Sequence, residues 1–208
     1  MVPPVTGAEH PAPVDGRTAR RDRNRDAVLD AVLDMFAEGR FEPGAAEVAA
    51  RSGVSPRSVF RYFEDRDALV RAAMARHLER VAPLIDVPDP GEGPLDERIE
   101  RLVAHRLRLY AAVAATARAA EVRAYTAAVI RDQLDRARRR SGAEVEAMFA
   151  PEMAGRPEAE RRAVLAAVDT LLQFSGLEHL HVRSGLDLDT VHDVLVRAVG
   201  ALLADPSA

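Results

Sequence analysis

Between Ala49 and Asp67 the chain reads AARSGVSPRSVFRYFEDRD, and this stretch carries the residues whose types and spacing point to a chemistry. Gly53 supplies the positive φ needed to leave one helix. Ser55 offers an oxygen to cap the next, and Pro56 suits its first turn. Val59 and Phe63 stand four apart and share a face that can pack inward. Arg57 with Arg61, and Ser58 with Tyr62, are also four apart and fall on other faces. A short helix anchored on its apolar side, with long polar and cationic residues outside, has the shape and hydrogen-bonding groups to enter the DNA major groove.

The elements that must position this helix lie on either side of it. Val28, Val32, Met35 and Phe36 recur with helical spacing in a first helix that Gly39 ends. Phe41 to Gly44 forms a loop, and a second helix covers roughly Ala45 to Ser52. A fourth helix begins near Asp65 and carries Leu69, Val70, Ala73, Met74, Leu78 and Val81. Its first-turn amides, together with Arg66, are suited to holding a phosphate. Before the first helix, residues 1–16 carry Pro3, Pro4, Pro11 and Pro13 and read as a disordered tail. Arg17, Arg20, Arg21, Arg23 and Arg25 follow, either as a solvated helix start or as an arm that touches DNA phosphate or the minor groove.

Composition narrows the function classes. The 208 residues suffice for one large domain or two small ones, and 48% are hydrophobic, ordinary for a soluble protein. No apolar run reaches the roughly 18 residues of a membrane span, so a cytoplasmic location is expected. Cysteine is absent, which excludes disulfides, zinc fingers and thiol catalysis. Net charge is −4, which argues against a uniformly basic DNA coat but leaves room for a local cationic surface. Every cationic side chain other than histidine is arginine, a usage that codon bias accounts for without function.

Past Pro83, Pro88, Pro90 and Pro94 the second half reads as all helix. One helix spans Leu95 to about Thr116. A further region spans about Ala119 to Phe149, with a break expected near Ser141 and Gly142. Pro157 opens another that reaches about Val182, and Asp187 or Asp189 caps the last. The run Arg138, Arg139, Arg140 reads as a solvated face. The last helix carries Val191, Val194, Leu195, Ala198, Val199, Leu202 and Leu203, more than one apolar stripe, and needs either a monomer core or a partner to cover it.

The run RDAVLDAVLDMFAEGRFEPGAAEVAARSGVSPRSVFRYFEDRDALV resembles the DNA-binding domain of the TetR repressor family over about residues 20 to 81. The resemblance implies an all-α chain. A three-helix helix-turn-helix domain (residues 17–82) would join through a fourth helix to a helical ligand-binding and dimerisation domain (residues 83–205). It implies a homodimeric regulator, usually a repressor, that binds a palindromic double-stranded operator and is released by a small-molecule effector. The last two helices would pair with their twins, and Gly176 and Gly200 would permit close approach there. It places Ser55, Pro56, Arg57, Ser58, Phe60, Arg61 and Tyr62 at DNA-contact positions and Arg66 at a phosphate contact. Two departures stand out: Pro43 and Gly44 replace the family's usual Thr pair, and Phe60 replaces a Tyr whose hydroxyl commonly reaches the backbone.

The resemblance also implies a cavity in the second domain, near which His105, Tyr110, Tyr125, Phe149, Gln173 and Phe174 fall. Each of these is open to the alternative of plain core packing. No catalytic residue, metal or cofactor is expected. The rival reading, a helical metal carrier or enzyme, rests on Glu178 with His181 and Asp189 with His192, each three apart. A third reading is a DNA-binding dimer whose cavity is filled by side chains.

Overall fold

The computed structural model describes residues 16–204, and the expected tail at 1–15 lies outside the described residues. Ten α-helices are described: α1 (Gly16–Ala37), α2 (Ala45–Ser52), α3 (Pro56–Tyr62), α4 (Arg66–Val81), α5 (Leu95–Ala124), α6 (Ala128–Met148), α7 (Ala150–Met153), α8 (Glu158–Leu172), α9 (Phe174–Glu178) and α10 (Leu188–Leu203). Gly16, assigned to the tail by composition, is the first residue of α1, so the arginine-rich segment is helical.

α1 to α4 share one core. Val28, Leu29, Val32, Met35 and Phe36 of α1 meet Val48, Val59, Phe63, Leu69 and Val70 there, all buried. Ala119 of α5 and Ile130 of α6 belong to the same core, so the long helices of the second half form its floor. A second core unites α5, α6 and α8 to α10, with Leu102, Val145, Met148, Phe149, Leu172 and Leu195 at its centre. Arg98, itself buried, forks onto Glu152 and donates to the carbonyls of Gly93 and Met148, which ties α5 to α7.

Three helix boundaries differ from expectation. α5 runs on to Ala124 because TARAAEVRA contains strong helix formers and no breaker. The turn falls instead at Tyr125 to Ala127, where Ala127 is extended. α6 passes through Ser141 and Gly142 unbroken, and the Ser141 hydroxyl donates to Asp169 Oδ1 at 3.0 Å. The helix expected to reach Val182 bends at Gln173, whose ψ of 156° is extended, and resumes as α9 and then a π-helical turn, His179–Arg183.

Gly176 makes that bend possible. A Cβ there would lie 2.6 Å from the Leu171 carbonyl oxygen and 2.7 Å from that of Thr170. Its missing side chain thus accommodates its own chain. Gly200 likewise faces Ile99 of the same subunit, 3.9 Å from its Cδ1.

Candidate nucleic-acid interface and effector cavity

α2 ends at Gly53, which has a φ of 68°, and Ser55 caps α3 by accepting from the Ser58 N–H at 3.3 Å. Pro56 fills the first turn of α3. Val59 and Phe63 are 2% and 6% exposed, so the underside of α3 is locked to the core. The opposite surface carries Arg57, Phe60 and Arg61, all exposed, with Phe60 at 64%. The Arg61 guanidinium lies 5.3 Å from the Tyr62 ring centre, which holds it flat along the helix before any ligand arrives. The Ser55 and Ser58 hydroxyls bond each other at 3.1 Å. Seven of the eight residues singled out for DNA contact therefore sit together on the cap, surface and end of α3.

Arg66 stands apart, at the start of α4. It faces Glu42 at 3.8 Å with both side chains exposed, a weak tether that a phosphate can displace. The expected open amides of α4 are not all open. Asp65 accepts from the Ala68 N–H at 2.6 Å and adds a negative charge beside the first turn, so one of these amides is already engaged. At α2, where the family's Thr pair is missing, Gly44 is the cap and Glu47 Oε2 accepts its N–H at 3.1 Å. The helix start is thereby satisfied without a hydroxyl. Arg40 and Arg51 are spent on Glu47 and Glu38.

Residues 28–73 match the amino-terminal profile of the bacterial regulatory proteins of the tetR family. Those residues are the helix-turn-helix segment of this chain and carry the tetR signature. Among TetR relatives, the HTH-type transcriptional repressor LfrR of Mycolicibacterium smegmatis is 38% identical over 92 residues, 43% of this chain. The match spans 47% of that relative's length. A TetR-family regulator from Streptomyces coelicolor superposes with a TM-score of 0.62 at 21% identity, covering 87% of this chain and 80% of that one. A regulator from Rhodococcus sp., titled as a putative member of the family, does so at 0.58 and 19%, covering 88% and 100%. At such identities these two show the shared fold, an all-helical TetR architecture.

In the second half of the chain a cavity of about 250 Å³ lies among α4, α5, α6 and the α8–α9 bend. Tyr110, Gln173 and Phe174 line it as expected; the rings of Tyr110 and Phe174 are 5.6 Å apart. Three expected residues do not line it. Tyr125 is 89% exposed in the turn between α5 and α6. Phe149 is wholly buried in the second core, where the end of α6 turns away from the cavity. His105 is buried towards the Ile85 carbonyl rather than the cavity.

Sequence reading missed the small residues that make the space. Val113, Ala117 and Ala120 repeat along one face of α5 opposite Ile130 and Leu134 of α6. The Ala-rich run AAVAATARAA was the available signal, because short side chains between long helices leave volume unfilled. His77 of α4 also lines the cavity. Burial pushes its pKa down, and Arg80 adds to the shift, against its bond to the Ala112 carbonyl.

The side chains that suggested metal are committed elsewhere. Glu178 accepts from Tyr110 at 2.7 Å and from Arg118 Nε at 2.7 Å. His181 Nδ1 lies 2.7 Å from the Leu186 carbonyl oxygen, and His192 Nε2 lies 3.0 Å from Glu100. Burial pushes the Tyr110 hydroxyl up to about 12, with Glu178 beside it, so it remains a donor at neutral pH.

Proposed function

We propose that this chain is a DNA-binding transcriptional regulator that acts as a homodimeric repressor and is released by a small, largely apolar effector. One observation carries the reading: α3 presents Arg57, Phe60 and Arg61 to solvent while Val59 and Phe63 bolt it to a core. Buried underpinning fixes the helix as a rigid rod, and guanidinium groups on its outside match guanine O6 and N7 in the major groove. One such helix reads only a few base pairs, so specificity calls for a second copy about 34–36 Å away on a palindrome. A duplex-DNA partner supports a cytoplasmic location. Among the described residues no helix is long and apolar enough to cross a membrane.

The pairing surface is proposed on α8 and α10. α10 buries Val191, Leu195, Val199 and Leu203 within its own subunit. Its second stripe, Val194, Ala198 and Leu202, is only half-buried and extends beside Val164 and Leu171 of α8. A second copy laid on that stripe covers it. The monomer core thus satisfies half of the apolar helix, and the dimer takes the other half.

The effector reading rests on two shared side chains. Met74 and Ile130 belong both to the cavity wall and to the core beneath the DNA-reading helices. An occupant that moves them moves α4, and a spacing of the heads unsuited to successive grooves lowers DNA affinity. The space is open rather than filled by side chains, which favours an effector-responsive protein over an effector-independent dimer.

The test begins with selection of bound duplexes from a random pool, followed by affinity measurement for the recovered site. Recovery of a palindrome bound by two copies of the 22.6 kDa chain is expected. Arg61→Ala should lower affinity for the site by about 1–3 kcal/mol while leaving random-sequence binding nearly intact. Failure of the wild-type protein to enrich any sequence would overturn the reading.

A further inference from the structure

The arginines that precede the first core do not lie around α1 at random. Val28, Val32 and Met35 mark the face of α1 that enters the core. At 100° per residue, Arg17, Arg21 and Arg25 fall within the same sector of about 80°. The core-facing stripe of α1 therefore continues backwards beyond the edge of the core, but as guanidinium groups. They share the angular position of the core-facing residues, yet all three are exposed.

What they overhang is given by Arg25. Its guanidinium sits 5.4 Å from the ring centre of Phe63, the residue that closes α3. The stripe thus starts at the carboxy-terminal end of the DNA-reading helix and runs outward for eight residues, about 12 Å. Arg20 lies beside it, and Arg23 falls on the opposite face of α1. Against these five arginines the segment 16–27 carries Asp22 and Asp26, and Asp26 is engaged by Arg76 at 2.8 Å. Among the described residues no carboxylate pairs with Arg20, Arg21 or Arg23, and all three are exposed. In a chain of net charge −4, such local excess is not a bulk property.

We propose that the first two and a half turns of α1 form a second DNA contact, in which Arg17 and Arg21 ride the sugar-phosphate strand that flanks the groove occupied by α3. The contact is to phosphate rather than to base edges. The helix backbone holds these side chains at the rim of the domain, and guanidinium binds phosphate oxygens without regard to sequence. Arg25, held on Phe63, fixes where the stripe begins. The inference rests on the DNA-reading assignment of α3 and adds to it a source of affinity independent of sequence.

The experiment compares the full chain with R17A/R21A, with R17K/R21K and with R57A/R61A on two 30-base-pair duplexes. One duplex carries the site that the wild-type protein selects from a random pool; the other is scrambled. R17A/R21A is expected to weaken both duplexes by the same factor, at least tenfold at low salt. The slope of log K against log salt should become shallower by about 0.9 for each phosphate contact removed. The selected sequence should not change, and R17K/R21K should restore most of the slope. Ethylation interference should lose the phosphates that lie outside the α3 footprint. Unchanged affinity and slope in R17A/R21A, alongside lost site preference in R57A/R61A, would overturn the stripe and leave the α3 assignment standing. A changed base preference in R17A/R21A would overturn the phosphate assignment in favour of base reading. Absence of wild-type binding to every duplex would instead remove the α3 reading on which the stripe depends. Thermal melting of each variant, expected to match the wild type because Arg17 and Arg21 are exposed, excludes misfolding as the cause.

Discussion

Arg123, in the last turn of α5, pairs with Asp67, in the first turn of α4. The contact joins the end of the cavity-bearing helix to the element that follows the DNA-reading helix directly. Its two sides are unequal: the Arg123 side chain is 10% exposed and that of Asp67 is 59% exposed. Removal of the carboxylate strands a largely buried cation, whereas removal of the cation leaves a hydrated carboxylate. Asp67→Ala is therefore expected to cost about 1–2 kcal/mol and Arg123→Met less, because half the pair is solvent-screened. Urea unfolding of the two variants checks the order; an equal or reversed cost would mean that the pair is not what anchors α4.

Gly176 is expected to tolerate no side chain. With a Cβ 2.6 Å from one carbonyl oxygen and 2.7 Å from another, the backbone bend at Gln173 must open. Gly176→Ala should destabilise by about 2–4 kcal/mol, above the usual range for a surface change. Gly142→Ala, whose nearest neighbour is the Asp169 carboxylate at 3.6 Å, should be nearly neutral or slightly stabilising. Paired thermal melts settle the comparison.

The half-buried His77 and the buried His105 predict a pH dependence with a definite sign. Burial is the chief cause that lowers His77 and His105 from their ordinary value of 6.5; Arg80 adds to the first and Arg106 to the second. The unfolded chain then binds more protons than the folded one just below pH 6.5. Stability is full above that value and falls as pH drops through the folded-state pKa values. The melting temperature should decline from pH 7 towards pH 5, and H77Q/H105Q should flatten that decline. Glu178, lowered by its bonds to Arg118 and Tyr110 despite burial, extends the loss to still more acid pH.

Phe60 offers a gain-of-function test. Its ring is 64% exposed on the outer surface of α3, so a para-hydroxyl meets no protein atom that must move. Phe60→Tyr should tighten binding to the selected duplex by about 0.5–1.5 kcal/mol, the net value of one hydrogen bond to the DNA backbone. Titration of the labelled duplex measures it. Weaker binding would place Phe60 against an apolar base edge such as a thymine methyl group.

The amino-terminal helices were legible because their determinants are local. Gly53, Ser55 and Pro56 punctuate the chain within four positions, and Val59 with Phe63 declares the buried side of α3 at one helical turn. Residue types alone put Arg57 and Arg61 on an outer face, whereas only the family resemblance singled out Phe60, which is 64% exposed. The same local logic narrowed the cap of α10 to Asp187 or Asp189, and Asp187 accepts from the Thr190 N–H at 2.7 Å. It failed where a local feature met a non-local partner. One of the amides expected to be open at α4 is engaged by Asp65, and α6 runs unbroken through Ser141, whose hydroxyl bonds Asp169 of a different helix.

The sequence by itself thus determined helix content, the buried side of α3 and the absence of cysteine chemistry, since spacing and capping act over a few residues. Tertiary structure alone decided which side chains see the cavity. An aromatic residue carries no mark that tells core from cavity wall: Phe174 lines the space, Phe149 fills a core and Tyr125 faces water. Empty volume arises where small residues of α5 face α6 across a distance set by larger side chains elsewhere. Likewise, only packing brought Met74 and Ile130 between cavity and DNA-reading core, because their 56-residue separation carries no local signal.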